Sequence, residues 1–137
     1  VARFDPAAAG WKLDDYKGFP ELVGPIWTRQ GEDGQVFGFI AEAKHANVRG
    51  VVHGGMLMTF ADEVLGRTVA EAVGDHPLAT IQLDTHFLAP ARLGDFVEGH
   101  AKVTRRTRAV VFVDGVLTVK GHMVARSHGI WKVLKAE

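Results

Sequence analysis

A chain of 137 residues with 47% hydrophobic and 23% charged content is long enough for one globular unit with a sizeable core. Its 16 Lys+Arg balance 16 Asp+Glu, which excludes a generally basic nucleic-acid-binding surface. Cysteine is absent; this removes disulfides, thiolate nucleophiles and Cys-held metal together, and fits a reducing compartment.

Residues 1–25 are punctuated by Pro6, Gly10, Gly18, Pro20, Gly24 and Pro25. Trp11, Tyr16 and Phe19 suggest a strap packed on the body, with a short helix around Asp14–Lys17. The opening stretch carries Asp5, Asp14 and Asp15 and has no apolar signal core. No apolar run anywhere approaches the roughly 20 residues of a membrane span. The expectation is a cytoplasmic protein without membrane or nucleic-acid partners. Near-zero net charge adds a hint that surface is buried in an oligomer.

Residues 26–30 and 35–42 read as two strands joined by the Gly31-Glu32-Asp33-Gly34 turn. Lys44–Val52 reads as a loop or short turn. From Gly54 to Val73 apolar residues cover much of a helical circumference, so this helix is expected to be buried on most sides. At 1.5 Å per residue it is roughly 30 Å long. Gly74-Asp75-His76-Pro77 ends it, with Gly after the last turn and Pro beyond.

Everything after that reads as β: Leu78–Phe87, Phe96–Arg105, Ala109–Val119 and Gly121–Leu134. In the second of these, Val97, Gly99, Ala101 and Val103 share one face. One long buried helix inserted into an antiparallel chain gives an α+β class in which the sheet curls around the helix. A single domain over residues 1–137 is expected, with 1–25 as its N-terminal strap. One helix covers one face of a sheet, and a partner is expected over part of the other.

The stretch from Asn47 to Gly66, NVRGVVHGGMLMTFADEVLG, holds two local irregularities. Consecutive glycines cost backbone entropy, and a carboxylate on an apolar helix costs solvation. The free N–H groups of a helix's first turn favour negative charge. At His53-Gly54-Gly55 they can form an oxyanion hole for a reacting carbonyl; a plain turn into a helix reads the same way. Asp62 is either the acting carboxylate or a marginal charge paired with a neighbour such as Arg67. Glu63 reads as a solvated or structural charge. Asn47 either orients a water and supports the substrate or is an ordinary turn residue. Thr80, opening the next strand, either holds a carboxylate or water or is simply a strand residue.

Gly54 and Asp62 are eight residues apart (62 − 54 = 8), so roughly 12 Å separates them along one helix. A carboxylate must come within about 3–3.5 Å of what it engages. One carbonyl cannot easily meet both groups of a single chain, whereas two antiparallel helices from two chains bring Gly54 of one to Asp62 of the other. A two-fold dimer with two shared sites follows.

Other chemistries find no support. Ser127 is the only serine and lies in no G-x-S-x-G elbow. There is no H-E-x-x-H, P-loop or G-x-G-x-x-G, and the seven histidines are scattered, so no metal site is expected. Arg105, Arg106 and Arg108 cluster at a hairpin end, either as a solvated turn or as a phosphate clamp.

The ordered set of motifs resembles a known family. His-Gly-Gly, an Asp nine positions after the His (62 − 53 = 9), Gly66 and the upstream Asn47 resemble the PaaI-like branch of the hotdog-fold acyl-CoA thioesterases, in the 4-hydroxybenzoyl-CoA thioesterase superfamily. FPELVGPIW before the first long strand and THFLAPARLGD at residues 85–95 fit as well. The resemblance covers roughly residues 19–133. It implies a hotdog fold, an antiparallel sheet wrapped round one central helix. It also implies a dimer with a continuous sheet, often paired into tetramers, and cofactor-free hydrolysis of acyl-CoA thioesters.

Carried over by residue, the Gly54 N–H polarises the thioester carbonyl. Asp62 of the other chain acts as general base or nucleophile. Asn47 and Thr80 assist the water and the carboxylate, with Thr where some relatives have Ser. His53 is structural or supporting. Gly55, Arg105, Arg106 and Arg108 are assigned to the CoA portion of the substrate. Met56, Met58, Phe60 and Phe87 are either an apolar or aromatic acyl pocket or simply core. Two other functions fit the same frame: an enoyl-CoA hydratase or dehydratase using His86, and a non-catalytic acyl-CoA-binding module.

Overall fold

The computed structural model describes residues 3–74 and 76–135. In chain order the elements are β1 (Lys12–Leu13), α1 (Phe19–Val23), β2 (Trp27–Gly31), β3 (Gly34–Ile40), a 3-10 turn (Ala43–His45), α2 (Gly54–Val73), β4 (Leu78–Phe87), β5 (Phe96–Arg106), β6 (Val110–Val119) and β7 (His122–Val133). The strands form one antiparallel sheet in the order β1-β2-β3-β5-β6-β7-β4. This is the expected α+β architecture, a curled sheet with α2 in its concave face. No helix of the described residues is long and apolar enough to cross a membrane.

The long helix spans the expected residues because both ends are chemically marked. His53 is its N-cap, and the imidazole Nδ1 accepts the Gly55 N–H. Gly74 terminates it at φ 77°, and the Gly74 N–H returns to the Ala70 carbonyl. Asp75, which the sequence places in the same terminating turn, lies outside the described residues.

The helix buries Leu57, Phe60, Ala61, Val64, Leu65 and Val69 against Val97, Val111, Val113 and Leu117 of the sheet. Glycines on the sheet let it sit this close. A β-carbon at Gly99 would stand 2.8 Å from a Val64 methyl, and one at Gly115 would stand 2.5 Å from a Leu65 methyl.

The strap differs from expectation. No helix forms over Asp14–Lys17; the short helix instead occupies Phe19–Val23, with Pro20 in its first turn. Proline favours that position because its missing N–H would be unpaired there anyway. Of the three strap aromatics only Trp11 is buried, packed edge-on against Phe96 at 4.9 Å. Asp14 is tied to α2 by a two-pronged ion pair, with Arg67 nitrogens 2.9 Å from both carboxylate oxygens. Arg67 also lies over Tyr16 at 3.9 Å and Phe37 at 4.8 Å. Arg67 is therefore Asp14's partner, and the pairing with Asp62 considered from sequence does not occur.

Candidate active site

The loop from His45 to His53 delivers the chain to the head of α2. The His53 N–H donates to the His45 carbonyl at 2.7 Å, and Ala46 and Val52 form an isolated bridge. Within it, the Asn47 side-chain oxygen accepts the Arg49 N–H at 2.9 Å and the Val51 N–H at 3.3 Å. That fixes the amide's orientation: the oxygen folds the turn, and its NH2 group has no partner among the described residues.

At the head of α2 the orphan donors are almost all used. The Met56 and Leu57 N–H groups both reach the His53 carbonyl, and the Gly55 N–H is 2.8 Å from His53 Nδ1. Only the Gly54 N–H has no acceptor among the described residues. The helix thus presents one free amide at its positive end. The second glycine has a different purpose: a β-carbon at Gly55 would stand 2.9 Å from His53 Nδ1. Gly55 therefore makes room for the imidazole cap. Because Nδ1 accepts, the neutral ring carries its proton on Nε2, which has no partner among the described residues.

Two turns along, Asp62 is half-buried, and Thr80 Oγ1 of β4 donates to its Oδ1 at 3.0 Å. The other carboxylate oxygen has no partner among the described residues. Thr80 lies opposite Trp131 in the β4–β7 register. The Trp131 indole packs against Gly66, where a β-carbon would stand 3.3 Å from Nε1. Glu63 is not the freely solvated charge considered from sequence. Burial raises its pKa above 4.5, reinforced by Asp62 and Asp14 and opposed by Arg67.

β4 runs alongside α2 so that the other end of the strand meets the other half of the site. The Phe87 ring lies against Gly54, with Cζ 3.4 Å from where a β-carbon would stand. Of the four apolar pocket candidates, Met56 and Phe60 are buried in the core, while Met58 is half-buried and Phe87 is exposed.

The remaining candidates lie elsewhere. Arg106 donates to the Ala72 carbonyl at 2.8 Å, at the far end of α2 from Gly54, and exposed Arg105 and Arg108 flank the same end. His86 pairs across the strand with exposed Arg126, its ring 6.4 Å from that of His128, on the sheet face opposite α2. That places it away from the cleft in which a hydratase would use it. Sequence reasoning missed His45. It is 3% exposed, accepts the Glu42 N–H at Nδ1, and pairs with the Val23 carbonyl through Nε2. It anchors α1 to the loop that carries Asn47, and nothing in its sequence context marks it.

Comparison with known proteins bears on this arrangement. Residues 49–125 match the thioesterase superfamily. A provisionally named esterase of Pseudomonas aeruginosa is 33% identical over 81% of this chain and 84% of that one. Human acyl-coenzyme A thioesterase 13 is 24% identical over 80% of this chain and 81% of its own. A crystal structure of a Bacillus halodurans protein with CoA superposes with a TM-score of 0.74, at 24% identity, covering 80% of this chain and 74% of that one. The last comparison establishes the fold they share.

Proposed function

The chain belongs to the thioesterase superfamily, and on that premise we propose that it hydrolyses acyl-CoA thioesters at two equivalent sites, each shared between two copies of the chain. The observation that carries this reading is the Gly54 amide, unpaired among the described residues, at the head of the helix that also holds the Asp62–Thr80 pair. The same pairing of an acyl-CoA with this fold is suggested by the name of the human relative.

The geometry of β4 favours the shared arrangement. β4 is an edge strand, and exposed Ile81, Phe87 and Leu88 lie on or just beyond it. A two-fold axis that brings Asp62 to a partner's Gly54 passes near Met58, midway along that span of α2. Because Thr80 lies at Asp62 and Phe87 at Gly54, the same axis passes near Leu83–Asp84 of β4. One rotation therefore pairs β4 with its own copy, antiparallel, and completes both sites.

In each site the thioester carbonyl oxygen accepts from the Gly54 N–H and the free Asn47 NH2, which stabilise the oxyanion as it forms. The other copy's Asp62, steadied by Thr80, takes a proton from water as the water oxygen attacks the carbonyl carbon. The C–S bond then breaks, and the proton passes to the departing thiolate. In the alternative course Asp62 attacks directly and water hydrolyses the resulting anhydride. His53 fixes the helix head and leaves its Nε2–H for the substrate. Arg105, Arg106 and Arg108 would meet the CoA phosphates. Ala72, beside Arg106, is ten residues beyond Asp62 (72 − 62 = 10), a distance of roughly 15 Å that an extended pantetheine arm bridges.

Thiol release from a panel of acyl-CoAs tests the reaction, and mixing two inactive variants tests the shared site. Gly54→Pro and Asp62→Asn chains are each expected to be inactive alone. A mixed dimer retains one site with both groups intact, so combining them is expected to restore activity. No restoration after verified subunit exchange would falsify the shared site.

A further inference from the structure

A cavity of about 430 Å3 lies between α1 and the first turns of α2, walled by His53, Gly55, Met56 and Thr59 on one side and by Phe19, Leu22 and Val23 on the other. It opens beside the same helix head that presents the free Gly54 amide. Its volume lies within the range of small-molecule sites.

The chemistry of its wall selects a ligand. Nearly every polar group there is already engaged. Thr59 Oγ1 donates to the Gly55 carbonyl at 2.9 Å, and the Lys44 ammonium donates to the Leu22 carbonyl at 3.2 Å. Both His45 nitrogens are used, by the Glu42 N–H and the Val23 carbonyl. The Gly55 N–H is held by His53 Nδ1. Apart from the remaining donors of the Lys44 ammonium at the rim, a ligand inside meets mostly carbon surface and polar atoms already paired. At the glycine end the ring proton on His53 Nε2 joins the Gly54 N–H as a donor without a partner among the described residues.

The outer wall is incomplete. Phe19 and Leu22 are 57% and 70% exposed, on a helix of only five residues. Neighbouring large apolar side chains left in water beside a cavity mark a surface that a ligand covers.

We propose that this cavity holds the hydrocarbon tail of the acyl group, with the thioester at its glycine end and the CoA portion outside. The inference rests on the acyl-CoA hydrolysis proposed above. At roughly 30 Å3, the share of one water-sized group in a liquid, the cavity of about 430 Å3 takes an acyl chain of up to about fourteen carbons. The pantetheine arm is the other candidate occupant. Its amides would lose water there and find donors only at Lys44 and His53, with no free acceptor for their N–H groups, which costs binding.

The test is a chain-length series of straight acyl-CoAs from two to eighteen carbons, with kcat/KM measured for the unaltered chain and for two variants. Removing the exposed outer wall with Phe19→Ala/Leu22→Ala leaves the core untouched. Filling the cavity from within uses Val23→Phe. For the unaltered chain, kcat/KM is expected to rise by up to about fourfold per methylene over the lengths that fit. The double variant is expected to lose at least tenfold on the ten-carbon substrate, with a loss that shrinks steadily as the chain shortens. Val23→Phe is expected to move the preferred length downward. An equal loss at every length would assign the cavity to the pantetheine arm and overturn the proposal, as would an unchanged profile in both variants. If the unaltered chain hydrolyses no acyl-CoA at any length, the catalytic reading itself fails, an outcome distinct from a flat profile in an active enzyme.

Discussion

Thr80 on β4 and Asp62 on α2, 18 positions apart in sequence, are joined by a 3.0 Å hydrogen bond from hydroxyl to carboxylate. The strand and the helix thereby hold the carboxylate between them, with one oxygen engaged and one free. A hydrogen bond to a charged group is worth about 1.5–3 kcal/mol. If Asp62 is the acting carboxylate, Thr80→Val, which keeps the shape and removes the donor, is expected to lower kcat by about 10- to 100-fold. Thr80→Ser keeps the donor and is expected to stay within a few-fold. Thr80 is exposed, so both variants should melt with the parent; a matching fall in Tm would assign the loss to folding.

Gly54→Pro separates the amide from the helix it heads. Gly54 is the first residue of α2, and His53 before it sits at φ −60°, ψ 136°. Proline is favoured at that position, and the preceding residue already has the extended backbone that proline requires. The substitution deletes one N–H and little else. Losing an oxyanion donor is expected to reduce kcat by about 10²–10³, with the far-ultraviolet circular dichroism unchanged. Retained turnover would remove Gly54 from the mechanism.

Glu63 predicts a pH dependence of stability. Burial raises its pKa in the folded chain above 4.5, so over the window just above 4.5 the native state binds more protons than the unfolded state. Stability therefore falls as pH rises through that window and stays lower beyond it. Glu63→Gln removes this penalty. The expected result is a higher Tm than the parent at pH 7 and a difference that closes below pH 4.5. A Tm advantage that persists unchanged in acid would contradict the assignment.

The Arg67–Asp14 pair predicts how the strap is held. Their side chains are 14% and 8% exposed, so removing one partner leaves the other buried without its counter-charge. Such losses cost about 3–5 kcal/mol. Arg67→Ala also gives up the contacts with Tyr16 and Phe37. It is expected to lower the urea midpoint more than Asp14→Asn and to expose residues 12–17 to limited proteolysis. A midpoint within error of the parent would show that Trp11 and the β1–β2 pairing hold the strap without the ion pair.

Much of the fold was legible because it rests on local periodicity. The run from Gly54 to Val73 carries a helical pattern with chemical marks at both ends, and alternation along Phe96–Arg106 assigns Val97, Gly99, Ala101 and Val103 to one face. The helix in the strap was misplaced because Asp14 and Tyr16 obey a distant residue, Arg67, which no local pattern reveals. For Glu63 the sequence left a solvated and a structural charge both open for the same reason: its burial depends on what packs over the helix. The cavity between α1 and α2 was invisible, since its walls come from residues 19–23, 44–46 and 53–59, brought together by His45.

The sequence by itself determined the helix, the strands, the presence of Gly54 and Asp62 on one helix, and the roughly 12 Å between them, because these follow from backbone geometry and the period of side chains. Tertiary structure decided which groups remain chemically free. Hydrogen-bond partners were allotted across the fold: His53 took the Gly55 amide, Thr80 took one oxygen of Asp62, Asp14 took Arg67, and Ala72 took Arg106. The groups left over among the described residues, including the Gly54 amide, the Asn47 NH2 and one carboxylate oxygen of Asp62, are set by that allotment, which depends on distances between elements far apart in the chain.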